Sequence, residues 1–213
     1  GKKLTGNQNV AIGTFAMQYR VAGYYNTAIG DQAMRNSTAG DKNVIIGTSA
    51  MGNDTAGTGG GENVGIGFGV LRKNTGMYNV ILGASAVSQG TGVNNSVIIG
   101  REAAGAAAVT GDDNVIMGYR AAYDLTSGYS LVAIGYEAGA NVTTANRNIY
   151  IGYQAGHAQV ASAEYSVMIG ELAGYDVSGQ RNLMIGGGAG VNAAAATNET
   201  TFIGYNAGAN ASG

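Results

Sequence analysis

Short apolar triplets alternate with longer polar, glycine-rich stretches from one end of the chain to the other. The first three triplets are Val10–Ile12, Thr27–Ile29 and Val44–Ile46, and a glycine directly follows each of them. This motif glycine recurs twelve times at spacings of 16 to 20 residues, at positions 13, 30, 47, 67, 83, 100, 118, 135, 152, 170, 186 and 204. The triplets predict β-strands, because no 3.6-residue pattern persists and glycine disfavours helix.

Self-similarity at a period near 17 residues indicates stacked coils. Asn stands four residues before the motif glycine in eight copies, and Ala stands three residues after it in eleven. Stacked Asn side chains can bond one another along the coil direction. The sequence therefore predicts one all-β domain over residues 1–213, a parallel β-roll or β-solenoid of about twelve coils, each with two short strands. We expect it to be a fragment of a longer fibre.

The two faces of each strand carry different residues. The residues one and three before the motif glycine share a face, are mostly Ile and Val, and are expected to fill the coil. The middle residue points the other way and is never charged, which makes a larger apolar patch than soluble monomers tolerate. We expect this middle row to pack against other copies of the chain around a symmetry axis. The predicted axis residues are Ala11, Ala28, Ile45, Ile81, Ile98, Ile116, Ala133, Tyr150, Met168, Met184 and Phe202.

Composition and charge exclude several classes of function. The net charge of −2 provides no electrostatic surface for nucleic acid, and no apolar run is long enough to insert into a membrane. With no cysteine, the chain has no disulfide and no thiolate metal site. Glycine supplies 38 of the 213 residues, and proline is absent, which excludes collagen and is compatible with turn-rich coils.

The sequence offers no residues for catalysis. Its single histidine, His157, lacks the serine or cysteine and carboxylate setting of a nucleophilic triad and is expected to be an exposed loop residue. The pair Asp112 and Asp113 is expected to be a solvated turn rather than a calcium site. We therefore predict that the chain is not an enzyme, with no catalytic residue, no cofactor and no metal.

Two other solenoid classes fit less well. A left-handed β-helix acyltransferase needs an aliphatic residue every six positions, but counting on from Ile12 reaches Gln18 and Tyr24. An ice-binding solenoid needs a regular threonine array, whereas the residues after the first six motif glycines are Thr, Asp, Thr, Phe, Ala and Arg.

Four tyrosines directly follow a motif glycine and are predicted to form a column on one face: Tyr119, Tyr136, Tyr153 and Tyr205. Exposed aromatic columns can bind sugar rings or apolar patches of a partner, which makes these the candidate receptor-binding residues. The alternative is a ladder that only stabilises the stack. Glu171 and Gly187 interrupt the column.

The string Asn-Val-Ala-Ile-Gly-x-x-Ala, together with residues 95–103 and 130–138, resembles the head repeats of YadA-type trimeric autotransporter adhesins. The period near 17 residues is longer than in those heads and is similar to repeats of phage tail-fibre proteins. The resemblance to adhesin heads implies left-handed coils, and either resemblance implies a non-enzymatic homotrimer on a virion tail fibre or the bacterial outer surface. It also implies attachment to a cell-surface glycan or protein receptor. The alternative function is a purely structural spacer of the fibre.

Overall fold

A computed structural model describes residues 6–19, 23–36, 40–52, 60–73, 75–106, 108–158, 163–193 and 198–211. Within these ranges the protein is all-β and has no helix. A strand precedes every motif glycine, as predicted, but each has only three residues, shorter than the four to six that we expected. The strands are β1 Val10–Ile12, β2 Thr27–Ile29, β3 Val44–Ile46, β4 Val64–Ile66, β5 Val80–Leu82, β6 Val97–Ile99, β7 Val115–Met117, β8 Val132–Ile134, β9 Ile149–Ile151, β10 Val167–Ile169, β11 Leu183–Ile185 and β12 Thr201–Ile203.

The chain divides into two compact units, Gly1–Thr110 and Gly111–Gly213. In the first unit, β1 to β6 pair in sequence order, always in parallel and always with equivalent triplet positions opposite each other. In the second unit, β7 to β12 pair in the same manner. The parallel solenoid prediction is thus confirmed, whereas the single domain, the trimer and the handedness stay predictions.

The second strand that we predicted in each coil is replaced by a series of turns. In the first coil, Phe15 and Met17 have φ angles of 58° and 52°, in the left-handed region that extended strands do not use. The Ala16 amide donates to the Gly13 carbonyl within the turn, while the Met17 amide donates to the Ala33 carbonyl of the next coil. Each coil therefore continues the coil-to-coil hydrogen bonding without a second regular strand.

The motif glycine is required by both its conformation and its neighbours. Gly83 has a φ of 136°, and a Cβ atom there would overlap the backbone carbonyl of Gly100 in the next coil. Only glycine combines this backbone angle with such a close approach. This position ends the strand and starts the turn in every coil.

The middle residue of each strand points into its own coil, so the prediction that this row lies on a trimer axis is wrong. From β2 to β11 its side chains are already covered by the same chain and leave no surface for another copy. The first strand's Ala11 is exposed and the last strand's Phe202 is half-buried. The other predicted axis residues are buried: Ala28, Ile45, Ile81, Ile98, Ile116, Ala133, Tyr150, Met168 and Met184.

The core is filled from two opposite walls whose side-chain sizes compensate. The residue four after the motif glycine faces the middle row, and in the first three coils it is a methionine, buried at Met17, Met34 and Met51. In the last five coils it is glycine, and a Cβ atom at Gly174 would overlap the sulfur of Met168. In these coils a large residue on one wall faces a small one on the other, which keeps the interior close-packed. The third coil differs, because Ile45 and Met51 are both large; there Gly65 of the next coil leaves space beside Ile45.

Buried Asn side chains connect successive coils beside the core. The Oδ1 atom of Asn43 accepts the backbone amide of Asn63 at 3.0 Å and its Nδ2 atom at 3.2 Å. The Nδ2 atom of Asn63 also donates to the Gly76 carbonyl at 2.9 Å. The predicted ladder is therefore present in this unit, and it satisfies polar groups that would be costly to bury alone.

Candidate interaction surface

In each unit, the side of the strands that points away from the coil interior is apolar. Residues one and three before the motif glycine, which we expected inside the coil, point away from it. In the first unit Val44, Val80 and Val97 are 37%, 38% and 36% exposed. In the second unit Met117 is 37% exposed, while most equivalent residues are half-buried. We call these two rows of each unit the outer apolar face.

A polar row borders this face on the side where the chain enters the strand. It consists of the residues five before the motif glycine, which have left-handed φ angles. Lys42 and Glu62 form an exposed ion pair of 2.9 Å, and the Arg147 guanidinium donates to the Tyr165 hydroxyl at 2.7 Å. The pair with Glu62 raises the pKa of Lys42. An apolar centre with a charged, solvated border is the usual anatomy of a protein interface.

Three of the four predicted receptor-binding tyrosines form a stacked ladder in the second unit. The ring centroids of Tyr119 and Tyr136 are 5.3 Å apart, and those of Tyr136 and Tyr153 are 5.2 Å apart with only 11° between the ring planes. The Arg120 guanidinium lies over the Tyr119 ring at 5.3 Å. Both faces of Tyr136 are therefore occupied by neighbouring rings, and the ladder presents edges and hydroxyl groups to solvent.

Tyr205, the fourth predicted residue, is separate from this ladder. It follows the last strand, β12, and is 84% exposed. A notch of about 180 Å³ adjoins it, with Glu171, Gly187 and Asn206 among its lining residues. The notch lies where Gly187 supplies no side chain to the predicted column.

His157 is not the exposed loop residue that we expected. Its side chain is only 18% exposed, and its ring stacks on Tyr175 with a centroid distance of 5.1 Å. Its Nε2 atom lies 3.4 Å from Oε2 of Glu137. The same Oε2 atom accepts a hydrogen bond from the side-chain Nε2 atom of Gln154 at 2.7 Å. His157 thus packs between coils as a structural residue.

The described part of the chain contains no group of three or more histidine, cysteine or acidic side chains placed to hold a metal ion. Of the acidic pair expected in a solvated turn, Asp113 is exposed and Asp112 is half-buried. No helix long and apolar enough to cross a membrane occurs among the described residues.

Comparison with protein-family models, with curated proteins and with solved structures finds no match to this chain.

Sequence reasoning missed two parts of this surface, the outer apolar face and the notch. The Asn residues held a usable signal for the first. Asn lies two residues before the middle residue of the strand and, with period two, shares its side, so a buried Asn ladder places the middle row inside. Predicting the notch would have required recognising that Gly187 leaves a gap in the row of residues that follow the motif glycines.

Proposed function

We propose that this chain is a non-enzymatic, homotrimeric segment of an extracellular fibre that attaches to a cell surface. The outer apolar face is the observation that carries the proposal. Partly exposed Val and Ile side chains recur on successive coils and form apolar rows, and contiguous exposed apolar surface marks interaction sites. Covering such rows removes apolar surface from water, at about 25 cal/mol per Å².

A second copy of the same chain is the best occupant of this face. Neighbouring coils lie about 4.8 Å apart, so the Val and Ile side chains recur at that interval. An identical row on another copy has the same interval and can interdigitate over many coils without mismatch. Symmetric association of identical patches is also the commonest form of protein assembly. The number of copies, three, comes from the resemblance to trimeric adhesin heads and tail-fibre repeats.

The assembly test adds charge to the outer apolar face. Val80 and Val97 lie opposite each other on β5 and β6. We expect Val80→Lys/Val97→Lys to reduce the mass measured by light scattering after size exclusion from three chains to one, because charges would be buried unpaired at the interface.

Matched charges on the polar border provide the control. Tyr78→Lys/Asn95→Lys introduces the same two charges in the same coils at exposed positions, where Lys42 already tolerates the same left-handed φ. This control is expected to stay trimeric. A monomeric parent chain, or a trimeric Val80→Lys/Val97→Lys variant, would refute the assembly proposal.

A spacer function is the second candidate, and the stacked tyrosines favour it. Because the faces of Tyr136 are occupied by its neighbours, this ladder stabilises coil stacking without needing a ligand. A spacer and an attachment segment assemble in the same way but differ in whether any outer site binds a ligand.

A further inference from the structure

Charged residues border the outer apolar face on both of its sides. The polar border lies where the chain enters each strand. The residues directly after the motif glycine lie on the opposite side, where the chain leaves the strand, and we call them the exit row. Its only charged members are Asp31, Arg101 and Glu171. Within a coil the two rows are six residues apart, roughly 20 Å of extended chain, so their side chains do not meet across the strand.

Rotational assembly brings these two rows together. When copies are related by a rotation about an axis parallel to the stacking direction, the entry side of each strand meets the exit side of a strand in the next copy. The polar border of one copy then faces the exit row of the next. The two rows are therefore expected to be complementary at one particular coil offset.

The charges of the two rows match at an offset of one coil. For each charged residue of the exit row, the polar-border residue one coil later carries the opposite charge. The three pairs are Asp31 with Lys42, Arg101 with Asp113, and Glu171 with Arg181. In the same coil the polar-border residues are uncharged, namely Tyr25, Asn95 and Tyr165. Two coils later they would oppose both carboxylates with like charges, because they are Glu62, Ser130 and Glu199.

Exposed rings match at the same offset. Phe68 of the exit row is 61% exposed, and Tyr78, one coil later on the polar border, is 53% exposed. In the second unit Tyr153 and Tyr165 stand in the same relation, and both are 48% exposed. Contact between such rings on neighbouring copies would remove apolar surface from water. Tyr78→Lys would replace this contact by a cation over the Phe68 ring, so that variant keeps a favourable contact.

The charged side chains of two of the pairs are open to a neighbouring copy. Glu171 is exposed and Asp31 is half-buried, while the side chains of Lys42 and Arg181 are 60% and 59% exposed. Both cations pair with a glutamate of their own polar border, and within the described residues no ion pair joins either of them to the exit row. An ammonium has three donors and a guanidinium has five, so each can bind a second carboxylate.

We propose that copies of this chain contact each other edge to edge, with the polar border of one copy against the exit row of the next, offset by one coil. Asp31 then bonds to Lys42 of the next copy, and Glu171 bonds to Arg181 of the next copy. The contact rests on the proposed function, because it requires assembly through the outer apolar face. Exposed ion pairs contribute little affinity, so the apolar face holds the copies together and the paired charges determine their orientation and register.

The test treats the full chain with a water-soluble carbodiimide, which joins an amine to a carboxylate only when the two groups touch. Linked dimers and trimers are separated from single chains on a denaturing gel, and the joined peptides are identified by mass spectrometry. We expect a link between Lys42 and Asp31 in the dimers and trimers only, whereas single chains should contain Lys42 joined to Glu62. Asp31→Asn should reduce the links from Lys42 to other chains at least tenfold.

The pair in the second unit is tested by Arg181→Lys, because a guanidinium does not form the amide bond. This variant should add a link between position 181 and Glu171 in the dimers and trimers. Adding Glu171→Gln should remove that link.

Thr48→Glu is the register control. It places a carboxylate at an exposed exit-row position in the same coil as Lys42. We expect Lys42 to remain linked to Asp31; a link that moves to position 48, or a link to Asp31 within single chains, overturns the one-coil edge contact. Light scattering of the same sample separates the two proposals. A trimer in which no link joins Lys42 to Asp31 refutes only the edge contact, whereas a monomer refutes the assembly and the edge contact with it.

Discussion

Adjacent residues in each strand face opposite environments, as Val97 and Ile98 illustrate. Val97 is 36% exposed on the outer apolar face, whereas Ile98 is fully buried between the two walls of the coil. A carboxylate at position 98 would be buried without a partner, while one at position 97 would remain hydrated in the single chain. The same substitution therefore has different consequences at the two sites.

We expect Ile98→Asp to lower the free energy of unfolding by roughly 3–5 kcal/mol or to prevent folding, because it buries an uncompensated charge. Val97→Asp should retain the strand signal in circular dichroism and a cooperative melt, and lose only assembly. If the Ile98→Asp chain stayed folded and lost only its assembly, the middle row would have to lie at the subunit interface.

Burial also determines the state of Tyr150, the largest fully buried side chain. Desolvation raises the pKa of its hydroxyl, and a hydrogen bond with Asn148 opposes part of that effect. The ring fits only because Gly139 and Gly156 lack side chains; a Cβ atom at either would contact it at 2.7 Å or less. One large residue thus specifies glycine in two coils.

At the level of the coil, the two walls of the core should be energetically coupled. Gly174→Ala places a methyl group on the Met168 sulfur and is expected to cost about 1–3 kcal/mol of unfolding free energy by overpacking. Met168→Ala should cost about 2–5 kcal/mol by leaving a cavity. The double variant should be less destabilised than the sum by about 0.5–3 kcal/mol, as denaturant unfolding would measure.

The substitution Gly69→Ala is the control, because it introduces the same backbone strain as Gly174→Ala without an overlap in the core. Gly69 has the same φ of 59° as Gly174, but a Cβ atom there meets only the side chain of Arg72, at 3.3 Å. Combined with Met168→Ala, it should give additive losses. If the coupling energy between Gly69→Ala and Met168→Ala were as large as that between Gly174→Ala and Met168→Ala, it would not arise from overlap between the two walls of the core.

The strands could be predicted from sequence because the motif glycine marks the end of every triplet. The apolar pattern alone could not distinguish the inside from the outside of those strands, because both faces are apolar; only the position of the Asn ladder separates them. Val97 is as hydrophobic as many core residues, while Ala28 and Ala133 inside are small. The predicted second strand does not form, because Phe15 and Met17 adopt left-handed angles that hydrophobic residues seldom use.

For the whole molecule, assembly through the outer apolar face should make stability depend on concentration. A tenfold higher concentration favours a trimer over its unfolded chains by about 2.7 kcal/mol, or about 0.9 kcal/mol per chain. The melting temperature of the parent chain should therefore rise with concentration, and that of Val80→Lys/Val97→Lys should not. A parent chain whose melting temperature is constant over a hundredfold range would argue against self-association.

The compensating walls also restrict how such a gene can change. Tandem repeats invite unequal recombination, which adds, removes or exchanges whole coils. A coil that carries Ala28 with Met34 fills its interior from one side, and a coil that carries Tyr150 with Gly156 fills it from the other. A whole coil carries both of its walls, so an exchange alters only its contacts with neighbouring coils, such as that of the Tyr150 ring with Gly139 of the preceding coil. Exchange within one size class preserves those contacts, whereas exchange between classes disrupts them. The number of repeats can therefore vary more freely than their order. Coils that arose by duplication should share glycine at the position four residues after the motif glycine.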